Sequence, residues 1–324
     1  MHAAGHRGRH GGSARGVVPV SNSIEVVAHR GGSAEAPEHS LAAYRKAIAS
    51  RVDALECDVR MTRDGRLVCV HDRRIDATSS GSGVVSALPL TDLEGLEFGV
   101  RAARRWAVRS RAADPDDDAD ADEDEADDAA DDAEVDEETG RVLTVDRLLD
   151  YVPSTPGEVR LAIETKHPTR HGRRVEVALV ETLRRFGLLV GDRPVEWSGR
   201  PAVRVMSFSP VALRRLRVLA PGLPTVHLVR WPLPRGGGAL APGITAVGAP
   251  VGLLRLYPGY VARLHAAGLE VHVFTVNDER DMDLMVELGV DAVITDRPLE
   301  LLRRLGRAGP EQDEPPAGIS RPGA

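Results

Sequence analysis

The stretch Ile24-Glu25-Val26-Val27-Ala28-His29-Arg30-Gly31-Gly32 opens as a β-branched apolar run and closes on polar and glycine residues. It reads as a short strand with its polar residues at the C-terminal end. An amphipathic helix from Ser40 to Ser50 follows, then a second apolar run, Ala54 to Val59. The strand, helix, strand rhythm continues down the chain. Runs at Arg160–Glu164, Val203–Ser207, Thr225–Leu228, Ile244–Val247, Val271–Thr275 and Ala292–Thr295 bring the strands to eight. Helical segments lie at Arg173–Phe186, Pro210–Leu219, Pro258–Ala267 and Glu279–Leu288, with Gly187, Gly268 and Gly289 placed as helix stops. Eight strands with intervening helices predict an α/β fold, a closed TIM-type (β/α)₈ barrel. A doubly wound open sheet would have fewer strands, and no glycine-rich dinucleotide fingerprint follows the first strand. One further run, Leu67 to His71, reads as an accessory strand in a hairpin turned at Asp64-Gly65.

The barrel is expected over residues 23–306, flanked by disordered tails at 1–22 and 307–324 that are rich in Gly, Pro, Arg and Ser and lack apolar periodicity. Inside it, 113–139 reads as a disordered acidic insertion, because Asp114 to Glu138 holds 17 acidic residues and no basic one. Like charges repel, and nothing in the run can offset the entropy of ordering it. The formal net charge of −7 is therefore misleading: without the run the chain carries +10. A basic body suits anionic substrates such as phosphates. Aromatic residues make up 3% of the chain and do not interleave with a basic stripe, which argues against nucleic-acid binding. No apolar run approaches membrane-spanning length, so membrane insertion is not expected. The N-terminus has no signal-peptide core, and the two cysteines, Cys57 and Cys69, sit inside apolar runs as small buried hydrophobes. A cytoplasmic protein is the expectation.

In such a barrel the chemistry sits at the C-terminal ends of the strands. There the chain places His29-Arg30, Glu56-Cys57-Asp58, His71-Asp72 and Glu164-Thr165-Lys166. Glu56 and Asp58 are two residues apart on one strand and so point to the same face. With Glu164 they make three hard oxygen donors, a set suited to a divalent cation, Mg²⁺ or Ca²⁺. His29 and His71 supply two imidazoles for acid–base work near neutral pH, with their individual roles left open. Arg30 and Lys166 supply fixed positive charge for a phosphate. The lysine is informative, since Lys46 and Lys166 stand alone against forty arginines.

In their order along the chain these fragments resemble the glycerophosphodiester phosphodiesterase family. The matching stretches are His29-Arg30-Gly31, Pro37-Glu38-His39-Ser40, Glu56-Cys57-Asp58, His71-Asp72, Glu164-Thr165-Lys166, Ser207-Phe208, Phe274-Thr275-Val276-Asn277 and Ile294-Thr295-Asp296-Arg297-Pro298. The resemblance implies metal ligation by Glu56, Asp58 and Glu164, acid–base catalysis by His29 and His71, and phosphate contacts from Arg30 and Lys166. The substrate it implies is a small glycerophosphodiester, cleaved to glycerol 3-phosphate and an alcohol. Three departures stand out: His39 and Ser40 replace the usual Asn and Thr, and Phe274 replaces a Trp in the substrate-binding pocket wall. The rival readings are a lysophospholipase D acting on lysophospholipids, and a catalytically silent phosphate-binding or interaction protein.

Overall fold

The computed structural model describes residues 24–99, 140–154, 158–233 and 243–307. The acidic run Asp114–Glu138, residues 1–22 and the C-terminal tail beyond Arg307 lie outside the described residues. Eight parallel strands close on themselves: β1 (Glu25–Ala28), β2 (Ala54–Met61), β4 (Arg160–Thr165), β5 (Val203–Ser207), β6 (Thr225–Leu228), β7 (Ala246–Pro250), β8 (Glu270–Phe274) and β9 (Ala292–Thr295). Closure runs through β1, which pairs Val27 with Ile294 of β9 on one side and Val27 with Ala54 of β2 on the other. The accessory strand β3 (Leu67–Cys69) pairs antiparallel with the end of β2, Val59 opposite Cys69.

Alternation along each strand divides the apolar residues into two layers. Val27, Ala54, Ala162, Met206, Val226, Ala246 and Ala292 form a compact inner cluster. Their neighbours Val26, Leu55, Leu161, Val205 and Val247 face outward into a larger cluster shared with the helices. The helix α4 (Arg174–Arg185) shows how that layer is built. Its Val175, Leu179 and Leu183 recur at helical spacing and are buried against the barrel. Truncating Leu183 to Ala would cost about 2–5 kcal/mol. The remaining helices are α1 (Leu41–Ala49), α2 (Leu90–Glu94), α3 (Val145–Tyr151), α5 (Pro210–Leu219), α6 (Val251–Leu256), α7 (Gly259–Ala266), α8 (Glu279–Leu288) and α9 (Pro298–Arg304). Ser40 caps α1, its hydroxyl accepting the Ala43 N–H at 3.1 Å.

Several strand boundaries shift by one to three residues from the sequence reading, and two of the shifts are informative. The run expected at Ile244–Val247 enters the sheet only at Ala246 and continues to Pro250. Gly248 and Pro250 read locally as breakers, yet a Cβ on Gly248 would lie 2.4 Å from Leu228 Cδ2, so glycine there lets an inner side chain pack against the strand. The accessory strand ends at Cys69 rather than His71. Beyond it the chain encloses a small separate core of Val68, Val70, Ile75, Val85, Leu93 and Val142.

The N-terminal end of the barrel interior is ionic. Glu25 is buried and accepts from Arg204 Nη1 at 2.7 and 3.0 Å, with Arg160 Nη2 at 3.4 Å. His272 is also buried, 3.2 Å from Glu270. Arg307, expected to begin the tail, is held by Asp53 at 2.7 and 2.8 Å.

Candidate active site

The site begins in the turn after β1. Arg30 has φ 53°, a left-handed conformation that costs a non-glycine residue roughly 1–2 kcal/mol. In return its N–H donates to Glu56 Oε2 at 3.0 Å, while its guanidinium reaches Glu38 Oε2 at 2.6 Å and lies 3.3 Å from Asp58 Oδ2. Gly31 follows at φ 91°, and a Cβ there would meet Ala43 Cβ at 2.7 Å, so the glycine of His-Arg-Gly is required by the close approach of α1.

Glu56 and Asp58 of β2 and Glu164 of β4 are all buried, and their carboxylate oxygens lie within 4.8 Å of one another. Register explains this, because Asp58 pairs directly with Glu164 across parallel strands. Three carboxylates at this spacing cannot all be ionised without a counter-charge. Burial and the neighbouring Asp58 charge push Glu56 well above the usual carboxylate range. The same two causes raise Glu164 to about 7, against the pull of Lys166. Burial would raise Asp58 too, but the hydrogen bond from His39 and the charges of Lys166 and Arg30 hold it well below its ordinary value. Hard oxygen donors, mutual repulsion and enclosure fit a divalent cation, and these three residues could bind a metal ion.

Lys166 bridges two of the three, Nζ standing 2.8 Å from Asp58 Oδ1 and 2.9 Å from Glu164 Oε1, and their charges raise it despite burial. His29 Nε2 is 4.0 Å from Glu56 Oε2, and its Nδ1 is 2.6 Å from Asp296 Oδ1. His71 Nδ1 is 2.9 Å from Asp72 Oδ1, and its carbonyl accepts from Arg60 at 3.0 and 2.7 Å. Burial lowers the His71 pKa, as do Lys166 and Arg30, against the opposing charge of Asp58, so the ring is neutral at neutral pH. His29, Arg30, His71, Glu164 and Lys166 line one open cleft of about 710 Å³, whereas Glu56 and Asp58 are buried. Phe274 lines it too, edge-on to Phe208 with centroids 5.7 Å apart.

The structure thus brings together every residue singled out from the sequence, and it adds others. Asp296, at the end of β9, accepts from Ser33 at 2.5 Å and from Asn277 at 2.6 Å as well as meeting His29. Burial would raise its pKa, but the His29 hydrogen bond and charge, with Ser33 and Asn277, bring it to about 2. His39 is buried at φ 57°, with Nε2 3.0 Å from Asp58 Oδ2 and Nδ1 2.9 Å from the Tyr44 hydroxyl, which donates to the Glu56 carbonyl at 3.1 Å. The replacement of Asn by His therefore leaves the first loop tied to the carboxylates. Asp296 carried the same strand-end signal as His29 and Glu164. For His39 no local signal exists, because its partners are fixed by folding.

The glycerophosphoryl diester phosphodiesterase family model matches residues 29–300. A probable glycerophosphodiester phosphodiesterase 1 of Mycobacterium tuberculosis is 41% identical over 274 residues, covering 84% of this chain and 89% of the relative. The chain belongs to the glycerophosphoryl diester phosphodiesterase family. A glycerophosphodiester phosphodiesterase of Bacillus subtilis is 29% identical over 290 residues, 88% of each chain. Among solved structures, an Oleispira antarctica phosphodiesterase in complex with the product sn-glycerol-3-phosphate superposes with a TM-score of 0.67 at 22% identity, covering 88% of this chain and 97% of that one. At that identity the likeness is one of fold, and the fold is the family's barrel.

Proposed function

We propose that the protein hydrolyses glycerophosphodiesters to glycerol 3-phosphate and an alcohol, with one divalent cation, Mg²⁺ or Ca²⁺, held by Glu56, Asp58 and Glu164. The observation that carries this reading is the meeting of those carboxylates within 4.8 Å at a barrel mouth that also presents two histidines and two fixed cations. When bound, the cation supplies Lewis acidity toward the phosphoryl oxygens. Arg30 and Lys166 add positive charge toward the same oxygens, where negative charge grows in the transition state. His71, neutral at neutral pH, takes the proton from the nucleophile, which is water or the substrate's own glycerol hydroxyl, the latter giving a cyclic phosphate that water then opens to glycerol 3-phosphate. His29, oriented by Asp296 at 2.6 Å, gives its Nε2 proton to the departing alkoxide. Family membership supports the reaction class, and the relatives' names point to the same substrate.

A second reading, head-group release from lysophospholipids, is favoured by one feature. A mostly apolar groove of about 870 Å³ between α4 and α5, lined by Met61, Val177, Ala178 and Val218, shares Val211 and Arg215 with the cleft and has room for an acyl chain. A panel of diesters and lysophospholipids assayed with and without EDTA tests both. Hydrolysis of the water-soluble diesters, lost in EDTA and restored by Mg²⁺ or Ca²⁺, is the expected result; turnover indifferent to EDTA would remove the metal from the mechanism. No helix among the described residues is long and apolar enough to cross a membrane, and both cysteines are free and buried, which is compatible with a reducing cytoplasm.

A further inference from the structure

We propose that the cleft selects diesters whose alcohol carries its own negative charge, and that Arg230 is the residue that reads it; the inference rests on the phosphodiesterase reading above. The glycerol 3-phosphate half is common to all such substrates, so discrimination depends on the other arm and on what the cleft offers it beyond the catalytic groups. What it offers is cationic. Besides Arg30 and Lys166, the cleft wall carries Arg60, Arg215 and Arg230. Among the described residues its acidic members are Glu164, bridged by Lys166 at 2.9 Å, and Asp72, engaged with His71 at 2.9 Å.

The three arginines are not equivalent. Arg60 is committed to the His71 carbonyl, and Arg215 lies 3.5 Å from the buried carboxylate of Glu176, which also holds His167 at 2.8 Å. Arg230, exposed just beyond the end of β6, has no carboxylate in salt-bridge reach among the described residues. Its guanidinium carbon lies 4.5 Å from the Phe208 ring centroid. Stacking fixes the direction of the guanidinium while leaving its N–H fork free for an anion. The same stacking works against a quaternary ammonium group. The aromatic face such a cation would seek on Phe208 is already covered by a positive charge, and Phe274 meets Phe208 edge-on at 87° rather than forming a second wall of a cage. Nor do the described residues that follow β6, Val229 to Leu233, include an Asp or Glu to neutralise a cationic head group.

The test is kcat/KM for release of glycerol 3-phosphate from glycerophosphocholine, glycerophosphoinositol and glycerophosphoinositol 4-phosphate, with Mg²⁺ present at low ionic strength. Wild type should rank the phosphorylated inositol ester first and choline last, about tenfold or more apart, as expected of an accessible charge acting on an ionic substrate. The gap should narrow toward about 1 M salt, where the screening length is only about 3 Å. Arg230→Lys should keep most of the preference, Arg230→Ala should flatten it, and Arg230→Glu should move it toward choline, mainly through KM. A wild type that prefers glycerophosphocholine would overturn the inference, and so would a ranking left unchanged by Arg230→Glu in a folded variant. If none of the three esters is cleaved, the phosphodiesterase reading itself fails and this inference falls with it.

Discussion

The two ends of the barrel interior treat the same chemical group in opposite ways. At the N-terminal end, burial would raise Glu25, but Arg204 and Arg160 face it and hold its carboxyl below the ordinary value. At the C-terminal end, Glu56 and Glu164 are buried beside another carboxylate and are pushed up, Glu164 to about 7. The floor pairs its carboxylate within the protein. The mouth leaves a negative excess that a cation can settle. Burial is common to both, so it is the sign of the neighbours that separates an ion pair that holds the barrel together from a site prepared for a ligand.

That contrast breaks most easily at the mouth. Replacing Glu56, Asp58 or Glu164 with Ala should reduce turnover to background and abolish calorimetrically detectable Mg²⁺ or Ca²⁺ binding while the circular dichroism spectrum is retained. Full activity of Glu56→Ala in EDTA would show that the carboxylates are structural. Next in size are the histidines, where general acid–base catalysis is worth on the order of 10²–10⁴-fold. His71→Ala should be impaired on every diester. His29→Ala should recover on a p-nitrophenyl ester, whose leaving group hardly needs a proton. Reversal of that pattern would exchange the two roles.

The floor should respond through stability instead. Glu25→Ala leaves the buried Arg204 and the half-buried Arg160 without their partner, and removing one member of a buried pair costs about 3–5 kcal/mol. Urea unfolding should register that loss, with kcat of the folded enzyme unchanged; a fall in kcat at constant stability would mean that the two ends are coupled.

A smaller effect lies in pH dependence. In the metal-free protein, Glu164 keeps its proton up to about 7, whereas in the unfolded chain it loses it near 4.5. The folded state therefore holds more protons across that window, and metal-free stability should fall as pH rises from about 4.5 to 7. Glu25 runs the other way: its folded pKa is lowered, so its contribution is present above about 4.5 and is lost as pH falls through the folded value. Urea midpoints in EDTA at pH 5 and 7 should show the decline, to which the raised Glu56 also contributes, and Glu164→Gln should reduce it. A Glu164→Gln variant with an undiminished slope would remove Glu164 as its source. The smallest effect expected is from deletion of Asp114–Glu138, which should raise the isoelectric point sharply and change turnover only a few-fold. A large loss of turnover in the folded deletion variant would give the acidic run a part in the site.

Local chemistry was enough to read much of this from the sequence. A period of two residues on a strand aims Glu56 and Asp58 the same way whatever surrounds them, and the β-branched runs, Ser40 cap and helix-stopping glycines act over a few residues. Those features determined the barrel rhythm and the strand-end position of His29, Lys166 and Glu164. Tertiary structure alone decided the rest, because it depends on partners far apart in the chain. Asp296 reaches His29 across 267 positions, Arg204 reaches Glu25 across 179, and Arg230 finds the face of Phe208 only because adjacent strands are parallel and in register. A carboxylate in a sequence has a charge but no neighbours. Barrel closure supplied them, and so decided that Glu25 would be an ion-pair partner and Glu164 a candidate metal ligand.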